Sequence, residues 1–408
     1  MKCILYGLGV KGSQVQILSA RLASGVDTVA PMHDTGALPG DDLGRAPVVP
    51  RGATQVREDE MDEPLQGRQA VVTAIGGPEV LEVQPFEVEP PGEGRVVVAV
   101  EAAAACYTDV LIRRGRYPAN RRKPPFVIGY DVVGRVAAVG AGVTQWSVGD
   151  RVADLCVIGG AASHVTTRAD RLVAVPDGVD AAEAESLVLS YLTAYQALLR
   201  HAHVTAGSRV LVIGASGAVG RAALDVGRVT GWEVTGVASS ARSDVVTSLG
   251  AQAIAYDSPS YRAELVEAAG EGFDAVLDAA GTLPKRFLTG LLRPGGHLAV
   301  VGFAGAVGPA GGGSSLGTLV TQVRAVVASR LAGLLSRSRS ASFYLITADR
   351  AQHPDHYRED LGQLLAWLAD GRLEPHVEER FGLADVVDAH RRLEAGGVHG
   401  RISLVVED

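Results

Sequence analysis

The sequence predicts an α/β protein in which a β-rich domain is joined to a domain built on a doubly wound parallel sheet. From Gln69 to about Ala197, short apolar runs alternate with turn residues such as Gly92, Gly94, Gly129, Gly140 and Gly149, the pattern of an all-β domain. From Ser208 to about Gly302, continuous apolar runs alternate with helical stretches, as expected for strands buried on both faces of a parallel sheet. From Tyr357 to Asp408 the order helix, strand, helix, strand follows and ends on Ile402 to Val406.

Size and composition bound the remaining possibilities. At roughly 100–200 residues per domain, 408 residues make two or three domains with a large core. A chain 47% hydrophobic and 21% charged is neither disordered nor a coiled coil. The net charge of −8 gives no global basic field, so nucleic acid is not an expected partner. Cys3, Cys106 and Cys156 cannot build a disulfide framework and lack Cys-x-x-Cys spacing, which fits a reducing, cytoplasmic setting. The apolar stretch from Cys3 to Val10 meets Lys11 and Gln14 before any small-residue cleavage site, so no signal peptide is expected. The longest uncharged stretch, Leu298 to Val323, is broken by Pro309 and Gly311-Gly312-Gly313, so no spanning helix is expected either.

Residues 1–66 read as an N-terminal extension and linker, with scattered prolines and then an acidic run from Arg57 to Glu63. Gly7-Leu8-Gly9-Val10-Lys11-Gly12 matches Gly-x-Gly-x-x-Gly, but no second strand with an acidic ribose ligand follows. An incomplete βα unit, or an over-extended start with Met61 as the natural one, remains open. Residues 67–197 form the first part of the β-rich domain, with strands expected at Ala70–Ala74, Val96–Ala103, Val132–Val139, Arg151–Cys156 and Leu172–Val175. Residues 198–335 form the parallel-sheet domain, with an insertion from about 305, and residues 336–408 return to the β-rich domain.

The strongest local signal is Val210-Leu211-Val212-Ile213-Gly214-Ala215-Ser216-Gly217-Ala218-Val219-Gly220, a buried strand feeding a helix through a glycine-rich turn. Such a turn lets a pyrophosphate approach the backbone at Ser216 and Gly217, while the helix that begins at Ala218 and Val219 directs N–H groups and its positive dipole end at the phosphates. After the next strand the chain reads Ala238-Ser239-Ser240-Ala241-Arg242, where an NAD site would place Asp or Glu. Ser239 and Ser240 can donate to a 2′-phosphate and Arg242 can pair with it, so NADPH is the expected cofactor. The alternative is that these residues cap the helix starting at Ser243.

From about Gln69 to Val406 the chain resembles the medium-chain dehydrogenase/reductase superfamily. The resemblance rests on Ala104-Ala105-Cys106-Tyr107-Thr108-Asp109, the run from Pro125 to Gly134, Val148-Gly149-Asp150-Arg151-Val152, Leu192-Thr193-Ala194-Tyr195, the Ser216 turn, Arg293-Pro294-Gly295-Gly296 and Gly400-Arg401-Ile402. It implies a GroES-like catalytic domain interrupted by a Rossmann domain. Gly129-Tyr130-Asp131 and Leu192-Thr193-Ala194-Tyr195 are similar to the zinc-independent quinone oxidoreductase and enoyl reductase branch. Cys106 stands where the zinc enzymes carry their first ligand, but Tyr130 replaces the next, His, and the third position offers no thiolate, so no metal is expected.

Without a Lewis acid, the chemistry implied is conjugate hydride addition to an enone, quinone or enoyl system, in which charge developing on the carbonyl oxygen needs a donor. Tyr117, in Arg116-Tyr117-Pro118, matches the segment whose Tyr is linked to proton delivery in the enoyl reductase branch; solvent is the alternative donor. Tyr107 and Tyr130 are further candidates at the same cleft. The resemblance also implies Thr193 beside the nicotinamide ribose, Tyr256 near the 2′-phosphate, Gly281 after the fourth strand, and Gly302 and Phe303 flanking the nicotinamide. Asp109 and Asp131 read as structural acceptors, and a homodimer is the family expectation. Residues 316–337 carry leucines and valines at helical spacing with Arg324, Arg330 and Arg337 on other faces, in an insertion similar to the vesicle amine transport protein branch. A lid, a dimer contact and a membrane-surface helix are all open, the last implying an NADPH-binding, membrane-associated or scaffold protein as the alternative to an enzyme.

Overall fold

The computed structural model describes residues 65–117, 122–301 and 338–406. The Gly7 motif, most of the N-terminal extension, Gly302, Phe303 and the amphipathic segment 316–337 lie outside the described residues.

The first domain opens with β1 (Leu65–Val72) and β2 (Leu81–Val88), followed by β3 (Arg95–Ala105), α1 (Tyr107–Arg113), β4 (Phe126–Val127), β5 (Val132–Val139), β6 (Arg151–Asp154), β7 (His164–Arg168) and β8 (Val173–Ala174). Strand β3 is the organiser, because its Val-rich half and its Ala102–Ala105 half are buried and it pairs with β5, with β7 and with the last strand of the chain. The sequence pattern missed β2. Its Pro85 cannot donate to a ladder and marks a strand down, yet β2 lies at the edge of the small sheet β2-β1-β4, where a proline is tolerated.

A helical run over residues 181–201, where the sequence pattern offered only strands and turns, joins the two domains. It comprises α2 (Ala181–Ser186), a π turn at Leu187–Tyr191, α3 (Leu192–Tyr195) and a second π turn at Gln196–His201. Asp180 starts it by accepting the Glu183 N–H at 3.0 Å. Its buried Leu187, Leu192 and Leu198 belong to a core that runs from Val72 and Ala103 to Val212 and Ala223. Single π turns cluster at functional sites, and here the first contains Ser190 and the two flank Thr193.

The second domain alternates β9 (Arg209–Ile213), α4 (Ala218–Thr230), β10 (Glu233–Ala238), α5 (Ser243–Ser248), β11 (Gln252–Ala255), α6 (Tyr261–Ala269), β12 (Phe273–Asp278), α7 (Lys285–Gly290), β13 (Leu292–Val300) and β14 (Ser340–Phe343). Every pair is parallel, in the order β11-β10-β9-β12-β13-β14, which reverses direction between β9 and β12. The sheet therefore runs past the expected domain end at residue 335. Ser340–Phe343 is too polar to read as a buried strand, and as an edge strand it pairs with His297–Val300, where the His297 ring bonds Ser340 Oγ at 2.7 Å and Ser342 Oγ at 2.8 Å. Helices α8 (Ile346–Gln352) and α9 (Pro354–Ala369) then lead to β15 (Val377–Gly382), α10 (Val386–Ala395) and β16 (Arg401–Val405), the last antiparallel to β3.

Candidate active site

Ligands of open α/β sheets bind outside the carboxyl ends of the strands at the point where strand order reverses. Here that crevice lies beyond β9 and β12. Gly214 leaves β9 at φ +86°, a conformation natural to glycine, and its carbonyl accepts the Gly217 N–H at 3.1 Å. Gly217 caps α4, so the free N–H groups of its first turn, Ala218 and Val219 among them, face the crevice. A Cβ on Gly220 would sit 2.1 Å from Gly214 O, so only glycine lets the helix pack on the turn. Across the crevice, the Ala279 N–H donates to Ile213 O at 3.1 Å and the Gly281 N–H to Asp278 Oδ1 at 2.7 Å. This cradle fits a dinucleotide pyrophosphate.

Ser239, Ser240 and Arg242 follow β10. Arg242 Nη1 donates to Ser216 Oγ at 3.4 Å, which joins the guanidinium to the phosphate turn. Ser240 is committed elsewhere, its N–H and hydroxyl donating to Asp257 at 2.8 and 2.7 Å. Tyr256, between these groups and 58% exposed, donates its N–H to Ala238 O at 2.9 Å.

The catalytic domain presents a second cluster. The Tyr117 and Tyr130 hydroxyls lie 3.4 Å apart, both buried, and burial pushes both phenols up from their ordinary value. Next to Tyr130, Asp131 accepts two bonds of 2.8 Å from Arg401 Nη2, and the same guanidinium donates to Glu185 at 3.1 Å and to Ser190 Oγ at 3.3 Å. Gly400, the residue before Arg401, forms an isolated parallel bridge with Gly217. A short chain of contacts, Tyr130 to Asp131 to Arg401 to Gly400 to Gly217, thus runs from the phenols to the dinucleotide turn. Thr193 is buried three residues beyond Ser190 in the same helical run. Tyr107 is not brought to the phenol pair: as the first residue of α1 it is 40% exposed.

Cys106 and Asp109 pack beside the phenols. The Cys106 N–H and thiol both donate to Asp109 Oδ2, at 3.1 and 3.2 Å, so Asp109 serves as the structural acceptor that its place at the start of α1 suggests. Burial pushes the Asp109 carboxyl up to about 6 against the pull of those bonds. A folded value above the unfolded one contributes stability at pH below the ordinary carboxylate range, which is lost as pH rises through 6. Asp109→Asn keeps an acceptor for Cys106 without the charge. It is expected to remove a pH-dependent loss of up to about 3 kcal/mol between roughly pH 4 and pH 7. Urea titrations of both proteins across that range check it, and parallel curves would refute it.

Comparison with known proteins places these features. A family model described as an alcohol dehydrogenase GroES-like domain matches residues 92–177, and one described as a zinc-binding dehydrogenase matches residues 249–404. The chain belongs to the medium-chain dehydrogenase/reductase superfamily. Similar members of that superfamily include a quinone oxidoreductase from Pseudomonas syringae pv. Tomato, 28% identical over 83% of this chain and 99% of that one, with a TM-score of 0.69. A mycobacterial protein complexed with NADPH is 27% identical over 83% of this chain and 99% of that one, with a TM-score of 0.67. A mycocerosic acid synthase-like polyketide synthase of Mycolicibacterium smegmatis is 29% identical over 88% of this chain but only 16% of its own length. The chain spans about one sixth of the curated relatives it matches. Within the superfamily it is an oxidoreductase.

The residues do not fit the zinc ion named in one of those family descriptions. A zinc ligand must be a thiolate, imidazole or carboxylate, whereas burial pushes the Cys106 thiol well up and Tyr130 offers a phenol. Among the described residues no three His, Cys, Asp or Glu side chains are grouped to hold a metal, and no helix is long and apolar enough to cross a membrane.

Proposed function

We propose that this oxidoreductase is a zinc-independent, NADPH-dependent reductase that transfers hydride to the β-carbon of an enone, quinone or enoyl-type substrate. The observation that carries the reading is the bridge from Gly217 to Gly400, which links the dinucleotide turn through Arg401 and Asp131 to the residue beside the paired Tyr117 and Tyr130 phenols. The turn would hold a nicotinamide dinucleotide, whose chemistry would be hydride donation to the β-carbon, with the displaced electron pair going to the substrate carbonyl oxygen. Tyr117, kept protonated by burial, donates to that oxygen and its proton completes the reduction, while Tyr130 fixes the donor's direction. The Ser216, Gly217, Ala218 and Val219 turn holds the pyrophosphate, and Thr193 and Gly281 border the crevice. Ser239, Arg242 and Tyr256 receive the 2′-phosphate. The polyketide synthase relatives support an α,β-unsaturated thioester as the substrate class within that set.

The test follows NADPH absorbance with a panel of quinones, enones and α,β-unsaturated thioesters, using NADPH deuterated at the nicotinamide C4. Turnover that deposits deuterium at the β-carbon is expected. Binding without turnover across the panel, or label at a carbonyl carbon, would overturn the reading.

A further inference from the structure

The carboxyl ends of β10 and β11 lie side by side, with Ala238 opposite Ala255. Just beyond them, Asp257 reaches across and accepts both Ser240 donors, the backbone N–H at 2.8 Å and the hydroxyl at 2.7 Å. A serine hydroxyl has a single proton to give, so Ser240 cannot also donate to a phosphate while this contact lasts. Asp257 is exposed, and its carboxylate lies one hydrogen bond from Ser240, within the Ser239–Arg242 segment that the dinucleotide reading sets against the 2′-phosphate. The Ser240 bonds hold the Asp257 carboxyl below its ordinary range, so the charge persists at every working pH. Arg242, the opposing cation, is drawn toward Ser216 on the other side.

We propose that Asp257 sets the cofactor selectivity of this chain, its charge opposing a phosphorylated ribose so that preference for NADPH over NADH is held down. The inference rests on the reading of the Ser216 turn as a dinucleotide site. Like charges this close repel even near the surface, and the repulsion is screened by salt.

Titration calorimetry of the intact chain with NADPH, NADH, 2′,5′-ADP and 5′-AMP tests it without recourse to turnover. Asp257→Asn keeps an acceptor for Ser240 but removes the charge. It is expected to tighten NADPH and 2′,5′-ADP roughly fivefold at low salt while NADH and 5′-AMP stay within about twofold. If Asp257 only orders the loop, Asn will leave all four ligands unchanged and Asp257→Ala will weaken the phosphorylated and unphosphorylated pairs alike, and the inference fails. Failure of the parent chain to bind any of the four would instead overturn the dinucleotide reading, and the inference with it.

Discussion

Arg401→Met is expected to destabilise the folded chain by about 3–5 kcal/mol near pH 7.5, because it strips the guanidinium that pairs with two buried carboxylates. The Arg401 side chain is 4% exposed and those of Asp131 and Glu185 are 0% exposed. Burial pushes Asp131 well above the usual carboxylate range even with Arg401 pulling it down. Without the guanidinium the folded-state value rises further. The stability that remains is then present at low pH and lost as pH rises, so the deficit should shrink toward roughly pH 5. Arg401→Lys should lose less, since it keeps the charge but cannot span Asp131 and Glu185 with one planar fork. Urea unfolding of the three proteins at two pH values decides it. A deficit for Met under about 1 kcal/mol, or one that grows on acidification, would show that the triad does not need its cation. Because Gly400 bridges Gly217, the same variant should also bind dinucleotide more weakly.

That triad marks where the sequence stopped being readable. The Ser216 turn, the six parallel strands apart from β14, and strands β3, β5 and β6 are written in local periodicity, because a buried parallel strand must be apolar throughout and its helix must begin at a glycine-rich turn, whereas the polar β7 that pairs with β3 is not. Asp131 reads as an acceptor and Arg401 only as part of the Gly400-Arg401-Ile402 stretch, yet their partnership spans 270 residues and leaves no local trace. Asp257 stayed hidden for a related reason. Its partner Ser240 sits at the end of a neighbouring strand, and the register that joins them comes from pairing Ala238 with Ala255. In sequence, Tyr117 stands ahead of Tyr107 and Tyr130 only through its resemblance to the enoyl reductase segment. Only packing separates a helix-start residue open to solvent from two phenols in mutual contact. The site is therefore legible as a set of motifs, while the ionic contacts that hold those motifs together are tertiary.

Tyr117→Phe should lower kcat by about 10²–10³ and leave the NADPH Kd within about twofold. The ring keeps its packing among Cys106, Tyr130 and the end of α1, so the variant should fold; only the hydroxyl is lost. A donor aimed at developing charge acts in the transition state rather than on the bound substrate, so KM should move little and the loss should fall on kcat. Because burial raises the phenol, the parent enzyme should hold its kcat past the pH at which an ordinary phenol ionises. Tyr130→Phe should fall between parent and Tyr117→Phe, since it removes the 3.4 Å contact that directs the donor but not the donor itself. If solvent supplies the proton, Tyr117→Phe will keep kcat within about threefold, and the solvent isotope effect will be the same in both proteins. A loss confined to KM would place Tyr117 in the wall of the substrate cleft and leave the developing oxyanion to another group. The split between kcat and KM thus separates a proton donor from a packing aromatic, a distinction that burial alone cannot make.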